Sequence, residues 1–267
     1  MNKVELFGIQ FNNFDFRDLA DYLEKTVEAG KPTYLLTCNV DHVMCLQKDE
    51  LFRRIYREAH AVVADGMPIV WASVLAGTPL KQRVAGADML TELGLWLEAK
   101  RYRLFFLGAA EGVAEEAKRR LLERFPALHV VGCHSPPYGF ETMEEENEKI
   151  VAMIREARPD ILLVGLGAPK QEKWIYRHYL KYRVPVSIGV GATFDFLAGR
   201  VRRAPVWMRK AGLEWAWRLA QEPRRLWRRY LVRDVGFCRL MLAEWRRAKQ
   251  TNHGGAIGHG EHGSQPE

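Results

Sequence analysis

The sequence lacks the motifs of several large enzyme classes. It has no D-x-D carboxylate pair, a spacing that often holds a divalent cation on a diphosphate. It also has no Walker A sequence, no G-x-S-x-G and no H-E-x-x-H. These absences argue against P-loop nucleotide hydrolases, α/β hydrolases and zinc peptidases. No metal and no other cofactor is expected, and the charge of any nucleotide diphosphate ligand would be neutralised by Lys, Arg and helix N-termini instead.

Cysteines and long apolar runs are also scarce. The four cysteines are scattered and form no C-x-x-C pair, as is typical of reduced thiols in a cytoplasm. No stretch reaches about 18 uninterrupted apolar residues, so no membrane-spanning helix is predicted. The opening MNKVELFGIQF lacks the apolar run of a signal peptide. We expect a cytoplasmic protein whose contact with a membrane, if it has one, is peripheral.

Positive charge and tryptophan are concentrated in one part of the chain. Residues 200–249 hold 15 Lys and Arg against four acids, and five of the eight tryptophans. Residues 1–199 sum to a charge of only −2. The composition predicts a body (1–199), a basic and aromatic appendage (200–249) and a disordered Gly/His-rich tail (250–267). Such an appendage favours an anionic ligand at a membrane surface.

Short apolar runs alternate with amphipathic stretches through the body. Strands are predicted at Tyr34–Thr37, Ala61–Ala64, Leu104–Leu107, Val130–Gly132, Ile161–Gly165 and Val186–Gly189. Amphipathic helices are predicted between them, for example over Gly112–Phe125 and Glu144–Ala157. This alternation indicates an α/β fold, with a Rossmann-like, mostly parallel sheet and helices on both faces. In such folds ligands bind at the carboxyl ends of the strands, so the residues that follow each strand form the predicted site.

Two glycine-rich turns follow the last two predicted strands. Gly165-Leu166-Gly167-Ala168-Pro169 has Pro169 suited to the first position of a helix, with Lys170 and Gln171 next. Glycines and a helix N-terminus suit phosphate, although a tight turn without a ligand has the same sequence. In the second turn, Gly189 to Asp195, Asp195 either accepts from a ribose or base or caps the following helix. The third glycine of a dinucleotide fingerprint is missing from that turn.

Three polar residues lie at the end of the first two predicted strands or just after them. Asp65 is either a general base, its pKa raised in a partly dry pocket, or the N-cap of a helix over Pro68–Ala76. Thr37 and Asn39 either bind a polyhydroxylated ligand or end a strand and cap the helix that begins near Val40. The sequence pattern alone leaves both pairs of alternatives open.

The appendage has the pattern of a basic amphipathic helix. Pro223 is predicted to separate two helices. From Pro223 onward one face collects Leu226, Trp227, Tyr230, Leu231, Phe237, Met241 and Trp245, and arginines lie mostly opposite. This pattern favours a helix at a membrane interface, and a helix packed on the body is the alternative. No nucleic-acid motif accompanies the charge, so no nucleic-acid partner is expected.

The ordered set of motifs from about residue 4 to 245 resembles the WecG/TagA/CpsF family of glycosyltransferases. The similar stretches are Thr37-Cys38-Asn39-Val40-Asp41, Ala64-Asp65-Gly66-Met67-Pro68, Arg83-Val84-Ala85-Gly86-Ala87-Asp88, Val164 to Glu172, Gly189 to Phe196, Arg203-Ala204-Pro205, Gly212-Leu213-Glu214-Trp215, and the run from Arg218 to Tyr230. Only the Gly/His-rich tail departs from the family pattern, and it touches no motif.

The resemblance implies the transfer of an N-acetylmannosamine-type sugar from UDP to an undecaprenyl-diphosphate-linked N-acetylglucosamine. It implies that this transfer inverts the anomeric configuration and needs no metal. The product would belong to the synthesis of wall teichoic acid linkage units or related surface polysaccharides. The resemblance also implies that Asp65 is the base, with Thr37, Asn39, Arg83 and Gln171 around the sugar. The residues expected at the UDP-sugar are Gly108, Tyr138, Gly165, Gly167, Lys170, Gln171, Gly189 and Asp195. The residues expected at the lipid diphosphate are Arg218, Arg225 and Arg228.

Other functions share parts of this pattern. The donor could instead be the uronate of that sugar or another UDP-hexose. A non-catalytic UDP-sugar-binding module docked at a membrane would have the same turns and the same basic helix. The incomplete glycine fingerprint argues against a third function, that of a dinucleotide-dependent oxidoreductase. The sequence leaves open whether the chain forms a homo-oligomer.

Overall fold

The computed structural model describes residues 2–254, without the side chains of Arg225, Arg229, Arg233 and residues 251–254. The strands are β1 Lys3–Leu6, β2 Ile9–Asn12, β3 Thr33–Cys38, β4 Ala61–Ala64, β5 Arg103–Gly108, β6 His129–His134, β7 Ile161–Gly165 and β8 Val186–Gly189. The helices of the body are α1 Phe16–Ala29, α2 Val40–Leu46, α3 Glu50–Arg57, α4 Met67–Leu75, α5 Gly86–Glu92, α6 Gly94–Lys100, α7 Val113–Arg124, α8 Glu144–Ala157, α9 Lys170–Tyr182 and α10 Thr193–Leu197, with a 3-10 turn at Phe140–Thr142. The helices of the appendage are α11 Val206–Lys210, α12 Glu214–Gln221, α13 Pro223–Arg228 and α14 Gly236–Gly254, with a π-helical turn at Arg229–Arg233.

Six strands form one sheet in the order β4-β3-β8-β7-β5-β6, and every neighbouring pair is parallel. All six strands predicted from the sequence are confirmed, and so is the α/β class. The inner strands are largely apolar because helices cover both faces of the sheet, whereas the edge strand β6 carries polar residues and is only partly buried.

The two faces of the sheet lie in two separate hydrophobic cores. In β3, Tyr34 and Leu36 belong to one core and Leu35 belongs to the other. The alternation follows from the period of two along a strand. Helices α2, α3, α4, α8 and α9 contribute to the first core, and α1, α5, α6, α7 and α10 contribute to the second. With both faces covered, ligand access is left at the carboxyl ends of the strands.

The N-terminal hairpin of β1 and β2 was not predicted. Its strands pair antiparallel around a two-residue turn, Phe7-Gly8, in which φ is 56° and 72°. Positive φ at both positions is the geometry of a type I′ hairpin turn. The hairpin covers the edge of the sheet at β4, where the Val62 N–H donates to Asn12 Oδ1 at 3.0 Å. The period-two pattern KVEL–FG–IQFN was the available signal.

The appendage packs on the body instead of standing apart from it. Helix α14 contacts α2 and α4, and the Phe237 ring lies 5.2 Å from the ring of Phe7. Gly236 lies against Met44, whose Cε would be 2.7 Å from a Cβ at that position. Of the residues described, none belongs to a helix long and apolar enough to cross a membrane.

Pro223 separates α12 from α13, as predicted, but the helix after it is not continuous. The π-helical turn and a short break divide it before Gly236. The predicted apolar face is therefore split: Leu226 and Phe237 are buried, whereas Trp227 and Leu231 are 44% and 55% exposed. Residues 250–254, predicted as the start of the tail, are the end of α14, and residues 255–267 lie outside the described range.

Candidate active site

A cleft of about 1140 Å³ lies at the carboxyl ends of β3, β4, β7 and β8, and residues of the appendage form part of its lining. Ten of the predicted site residues line it: Thr37, Asn39, Asp65, Arg83, Gly165, Gly167, Gln171, Asp195, Arg218 and Arg228. Four others, Gly108, Tyr138, Lys170 and Gly189, lie outside its lining. The side chain of Arg225 lies outside the described residues. The body and the appendage thus form one site.

Asp65 lies at the end of β4, with its N–H bonded to the carbonyl of Cys38 at 2.7 Å. Helix α4 begins at Met67 with Gly66 at its N-cap and no side-chain cap, so the capping role considered for Asp65 is wrong. Burial raises the pKa of Asp65 to about 7. Arg83 and Arg203 lower this pKa, whereas Glu214 and Asp88 raise it. A carboxyl group that is half ionised near neutral pH suits a general base.

A network of ion pairs beside Asp65 joins the body to the appendage. Arg83 bonds Asp88 in α5, and its other Nη donates to Glu214 of α12 at 2.8 Å. Two appendage arginines also reach Asp88, Arg203 at 2.6 Å and Arg209 at 3.1 Å. Arg83 is therefore held by two carboxylates, and its predicted contact with the sugar stays a prediction.

Thr37 and Asn39 both have structural bonds. The buried Thr37 hydroxyl donates to the carbonyl of Gly189 at 2.9 Å, which ties the ends of β3 and β8 together. Asn39 is the N-cap of α2, and its Oδ1 accepts from the His42 N–H at 3.2 Å. The capping alternative for Asn39 is therefore confirmed. Both residues still line the cleft, so their contact with a ligand stays a prediction.

Gln171 holds the two glycine turns together. Its Oε1 accepts from the N–H groups of Gly167 at 3.2 Å and Gly191 at 3.0 Å. Its Nε2 donates to Glu172 Oε1 at 2.6 Å. The turn N–H groups that the sequence suggested for phosphate are thus engaged by a side chain that is 2% exposed.

The glycines at the ends of β5, β7 and β8 and in the two turns differ in what surrounds them. A Cβ at Gly108 would lie 2.6 Å from the carbonyl oxygen of Gly165, and one at Gly189 would lie 2.6 Å from Gln171 Nε2. Gly165 is packed in the same way against Phe194. These glycines permit close packing of strand ends. Gly167 and Gly191 instead have φ of 77° and 57° and open space around them, so they supply the turn conformation.

Lys170 and Tyr138 form a separate group beyond the glycine turn. Helix α9 begins at Lys170, so Pro169 is its N-cap residue and not its first helical residue as predicted. Lys170 Nζ pairs with Glu141 at 2.7 Å and lies 4.9 Å from the centre of the Tyr138 ring, which is 94% exposed. Their predicted contact with the UDP-sugar stays a prediction.

Asp195 and Phe196 are neighbours in α10 and both line the cleft. The cap position of this helix is Ala192, so the capping alternative for Asp195 is wrong. The Phe196 ring has two guanidinium groups over it, Arg218 at 5.5 Å and Arg203 at 5.7 Å. Among the described residues, no cluster of three or more His, Cys, Asp or Glu side chains suits a metal ion.

The sequence model of the glycosyl transferase WecG/TagA/CpsF family matches residues 4–251. The chain belongs to this family. It is 30% identical over 229 residues to the N-acetylglucosaminyldiphosphoundecaprenol N-acetyl-beta-D-mannosaminyltransferase of Staphylococcus aureus, over 85% of this chain and 87% of that one. It is 33% identical over 226 residues to the protein of the same name from Bacillus spizizenii, over 82% and 85%. The predicted family and the class of glycosyltransferase are confirmed.

In this glycosyltransferase, sequence reasoning missed part of the cleft. Arg203, Arg209, Glu214 and Trp215 line it, although no role was predicted for any of them. The R-A-P and G-L-E-W motifs of the appendage were the available signal. Glu172 lies outside the cleft lining and was also missed: it is 1% exposed, burial raises its pKa to about 8, and its Oε1 lies 3.7 Å from His42 Nε2.

Proposed function

We propose that this glycosyltransferase moves N-acetylmannosamine from UDP to N-acetylglucosamine linked to undecaprenyl diphosphate, with inversion and without a metal. The names of its relatives support the sugar and the acceptor. The observation that carries the proposal is Asp65, a carboxyl group with a pKa of about 7 in the cleft that the glycine turns and five arginines line.

The proposed chemistry is a single displacement. The acceptor's hydroxyl oxygen attacks the anomeric carbon of the donor while the ionised Asp65 takes the hydroxyl proton. A new glycosidic C–O bond forms, the bond to UDP breaks with its electrons remaining on the diphosphate, and the configuration inverts. One carboxylate on the acceptor side is sufficient for this geometry.

The leaving diphosphate needs positive charge to stabilise it. Arg83, Arg203, Arg209, Arg218 and Arg228 line the same cleft as Asp65. Guanidinium groups bind phosphate oxygens in bidentate fashion, and their charge does not depend on pH. These arginines support the proposal that no divalent cation is required.

The exposed side chains of the appendage also support the proposal that the protein binds to a membrane surface. Trp207 and Val232 are each 64% exposed and Trp227 and Leu231 are partly exposed, and the guanidinium of Arg228 lies 5.3 Å from the centre of the Trp227 ring. Apolar side chains interleaved with arginine suit the interface of an anionic bilayer. We propose peripheral attachment there, which would bring the cleft to a lipid-linked acceptor.

The test is sugar transfer from UDP-N-acetylmannosamine to undecaprenyl-diphosphate-linked N-acetylglucosamine, with and without EDTA. We expect EDTA-resistant product with inverted anomeric configuration. Asp65→Asn should abolish most of it, while Asp21→Asn, at an exposed position of α1, should not. Product that needs a metal would overturn the proposed role of the arginines. Product from only the uronate donor would correct the sugar, and no product from any UDP-sugar would favour a binding module.

A further inference from the structure

Glu172 is a buried carboxyl group that the proposed mechanism does not use. It follows Gln171 in the first turn of α9, is 1% exposed, and lies outside the lining of the cleft. Within the part of the chain that the structure describes, its Oε2 has no hydrogen-bond partner. A buried carboxyl oxygen without a partner costs free energy, which an apolar side chain would avoid. Stability alone therefore does not account for a carboxyl group at this position.

The other oxygen of this carboxyl group binds a side chain that lines the cleft. Glu172 Oε1 accepts a hydrogen bond from Gln171 Nε2 at 2.6 Å. This pair lies against the end of β8, where a Cβ at Gly189 would be 2.6 Å from Gln171 Nε2 and 3.1 Å from Glu172 Oε1. His42 Nε2 lies 3.7 Å from the same Oε1, and His42 Nδ1 is 2.6 Å from the Tyr56 hydroxyl oxygen. The carboxyl group is thus placed between α2 and the end of β8.

The bond from Gln171 to Glu172 decides how the Gln171 amide is oriented. A side-chain amide has one acceptor oxygen and one donor nitrogen, so its orientation sets which neighbours it can bind. Gln171 Oε1 accepts from the N–H groups of Gly167 and Gly191, at 3.2 Å and 3.0 Å. If the amide turned over, its nitrogen would face those two N–H groups, and its oxygen would face the oxygen of Glu172. An acceptor at position 172 therefore selects the orientation that binds both glycine turns.

We propose that Glu172 is a positioning residue for the UDP-sugar site, and that its Oε1 holds the Gln171 amide in the orientation that binds both turns. Gly167, Gln171 and Gly191 line the cleft, whereas Glu172 does not, so its effect on a ligand passes through the amide. The role requires an acceptor oxygen and not a negative charge. The inference rests on the proposed function only for UDP as the ligand. The alternative is a bond that stabilises α9 without affecting the site.

The experiment compares two replacements of similar size at position 172. Glu172→Gln keeps an oxygen that can accept from the amide, and Glu172→Met removes it. The matched control is Tyr182→Phe, which removes another buried hydrogen bond of α9, from the Tyr182 hydroxyl to Ser187 Oγ at 2.9 Å. Neither Tyr182 nor Ser187 lines the cleft. Gln171→Ala, made alone and together with Glu172→Met, completes a double-mutant cycle.

Three measurements are made on each variant. Calorimetry gives the dissociation constant of UDP, and hydrogen exchange reports how often the N–H groups of Gly167 and Gly191 open. Urea titrations show whether the variant is folded.

We expect Glu172→Met to weaken UDP binding by about fivefold to tenfold and to speed hydrogen exchange at Gly167 and Gly191 by a similar factor. Glu172→Gln and Tyr182→Phe should stay within about threefold of the wild type in both measurements. Because Glu172 acts through the amide, Glu172→Met should add less than about twofold to the loss of UDP affinity that Gln171→Ala causes alone.

Several outcomes would overturn the proposal. A tenfold loss in Glu172→Gln would show that an acceptor oxygen is not sufficient, and wild-type affinity in Glu172→Met would show that none is needed. Additive losses in the cycle would mean that Glu172 acts by another route, and an equal loss in Tyr182→Phe would reveal a general weakening of α9. Glu172→Leu takes the place of Glu172→Met if the latter does not fold, and failure of both would assign the residue to folding. If the wild type does not bind UDP, the proposed function fails, while hydrogen exchange at the two turns still tests the role of Glu172.

Discussion

The sharpest prediction concerns the pH dependence of sugar transfer. Burial raises the pKa of Asp65 to about 7, and a general base works only when it is ionised. About half of Asp65 is then ionised at pH 7, about a tenth at pH 6 and about a hundredth at pH 5. The value of kcat/KM should therefore fall by about tenfold for each pH unit on the acid side. With the ordinary value of 3.8, the profile would stay flat down to about pH 5.

The assay is initial-rate transfer to a lipid-linked acceptor from about pH 5 to about pH 9, at constant ionic strength. The profile of kcat/KM reports the pKa of groups in the free enzyme. Asp65→Asn should lower kcat/KM by about 10² to 10⁴-fold at pH 8, and its residual activity should lose the acid limb.

Glu172 is the control for this reasoning, because burial raises its pKa as well, to about 8. Glu172→Gln keeps a polar group beside Gln171 and removes the carboxyl group. We expect the acid limb to remain near pH 7 in this variant, whatever its overall activity. A flat profile in the wild type, or an acid limb that survives in Asp65→Asn, would refute the assignment of the base.

Three other predictions test the site and its support. Because the folded-state pKa of Asp65 exceeds 3.8, the folded protein loses stability as the pH rises from about 4 to about 7. Asp65→Asn should therefore raise the free energy of unfolding at pH 8, by at most about 4 kcal/mol, and leave it unchanged at pH 4. Urea titrations that show no difference between the two pH values would contradict the burial of this group. Gln171→Ala leaves two turn N–H groups without their acceptor, so it should lower the free energy of unfolding by about 2–4 kcal/mol in the same urea titrations. It should also weaken UDP binding, and an unchanged UDP affinity would show that the turns do not shape that site. Gly212→Ala should reduce turnover because its Cβ would overlap the Trp71 ring of α4. Gly77 also has a positive φ but has open space around it, so Gly77→Ala should lower only the stability of the protein. Equal turnover of these two variants would contradict a need for close docking of the appendage.

Most of the fold could be predicted because the two-sided sheet leaves a strong local pattern. The ILLVG run of β7 is apolar at every position and ends at a glycine, which marks both the strand and its end. The β1–β2 hairpin was missed because its two strands have four residues each and Phe7 occupies a turn position that glycine or asparagine usually fills. The break after α13 was missed because helical periodicity does not report which residues contact the body.

The site was predicted less completely, for a physical reason. Position after a strand correctly placed Asp65 and Thr37 in one cleft, since parallel strands end at the same edge. It could not show that Gln171 binds the turn N–H groups or that Lys170 pairs with Glu141. Those contacts depend on side-chain direction, which a sequence pattern does not fix.

The charges around Asp65 show why two parts of the chain can share one base. The body supplies Arg83, which lowers the pKa of Asp65, and Asp88, which raises it. The appendage supplies a second pair of opposite effect: Arg203 lowers the pKa and Glu214 raises it. Each part thus brings charges of both signs, and burial is the largest influence on the pKa. The appendage can therefore add arginines for a diphosphate without forcing the base to stay ionised, because its own carboxylate opposes their effect on the pKa of Asp65 and burial raises that pKa further.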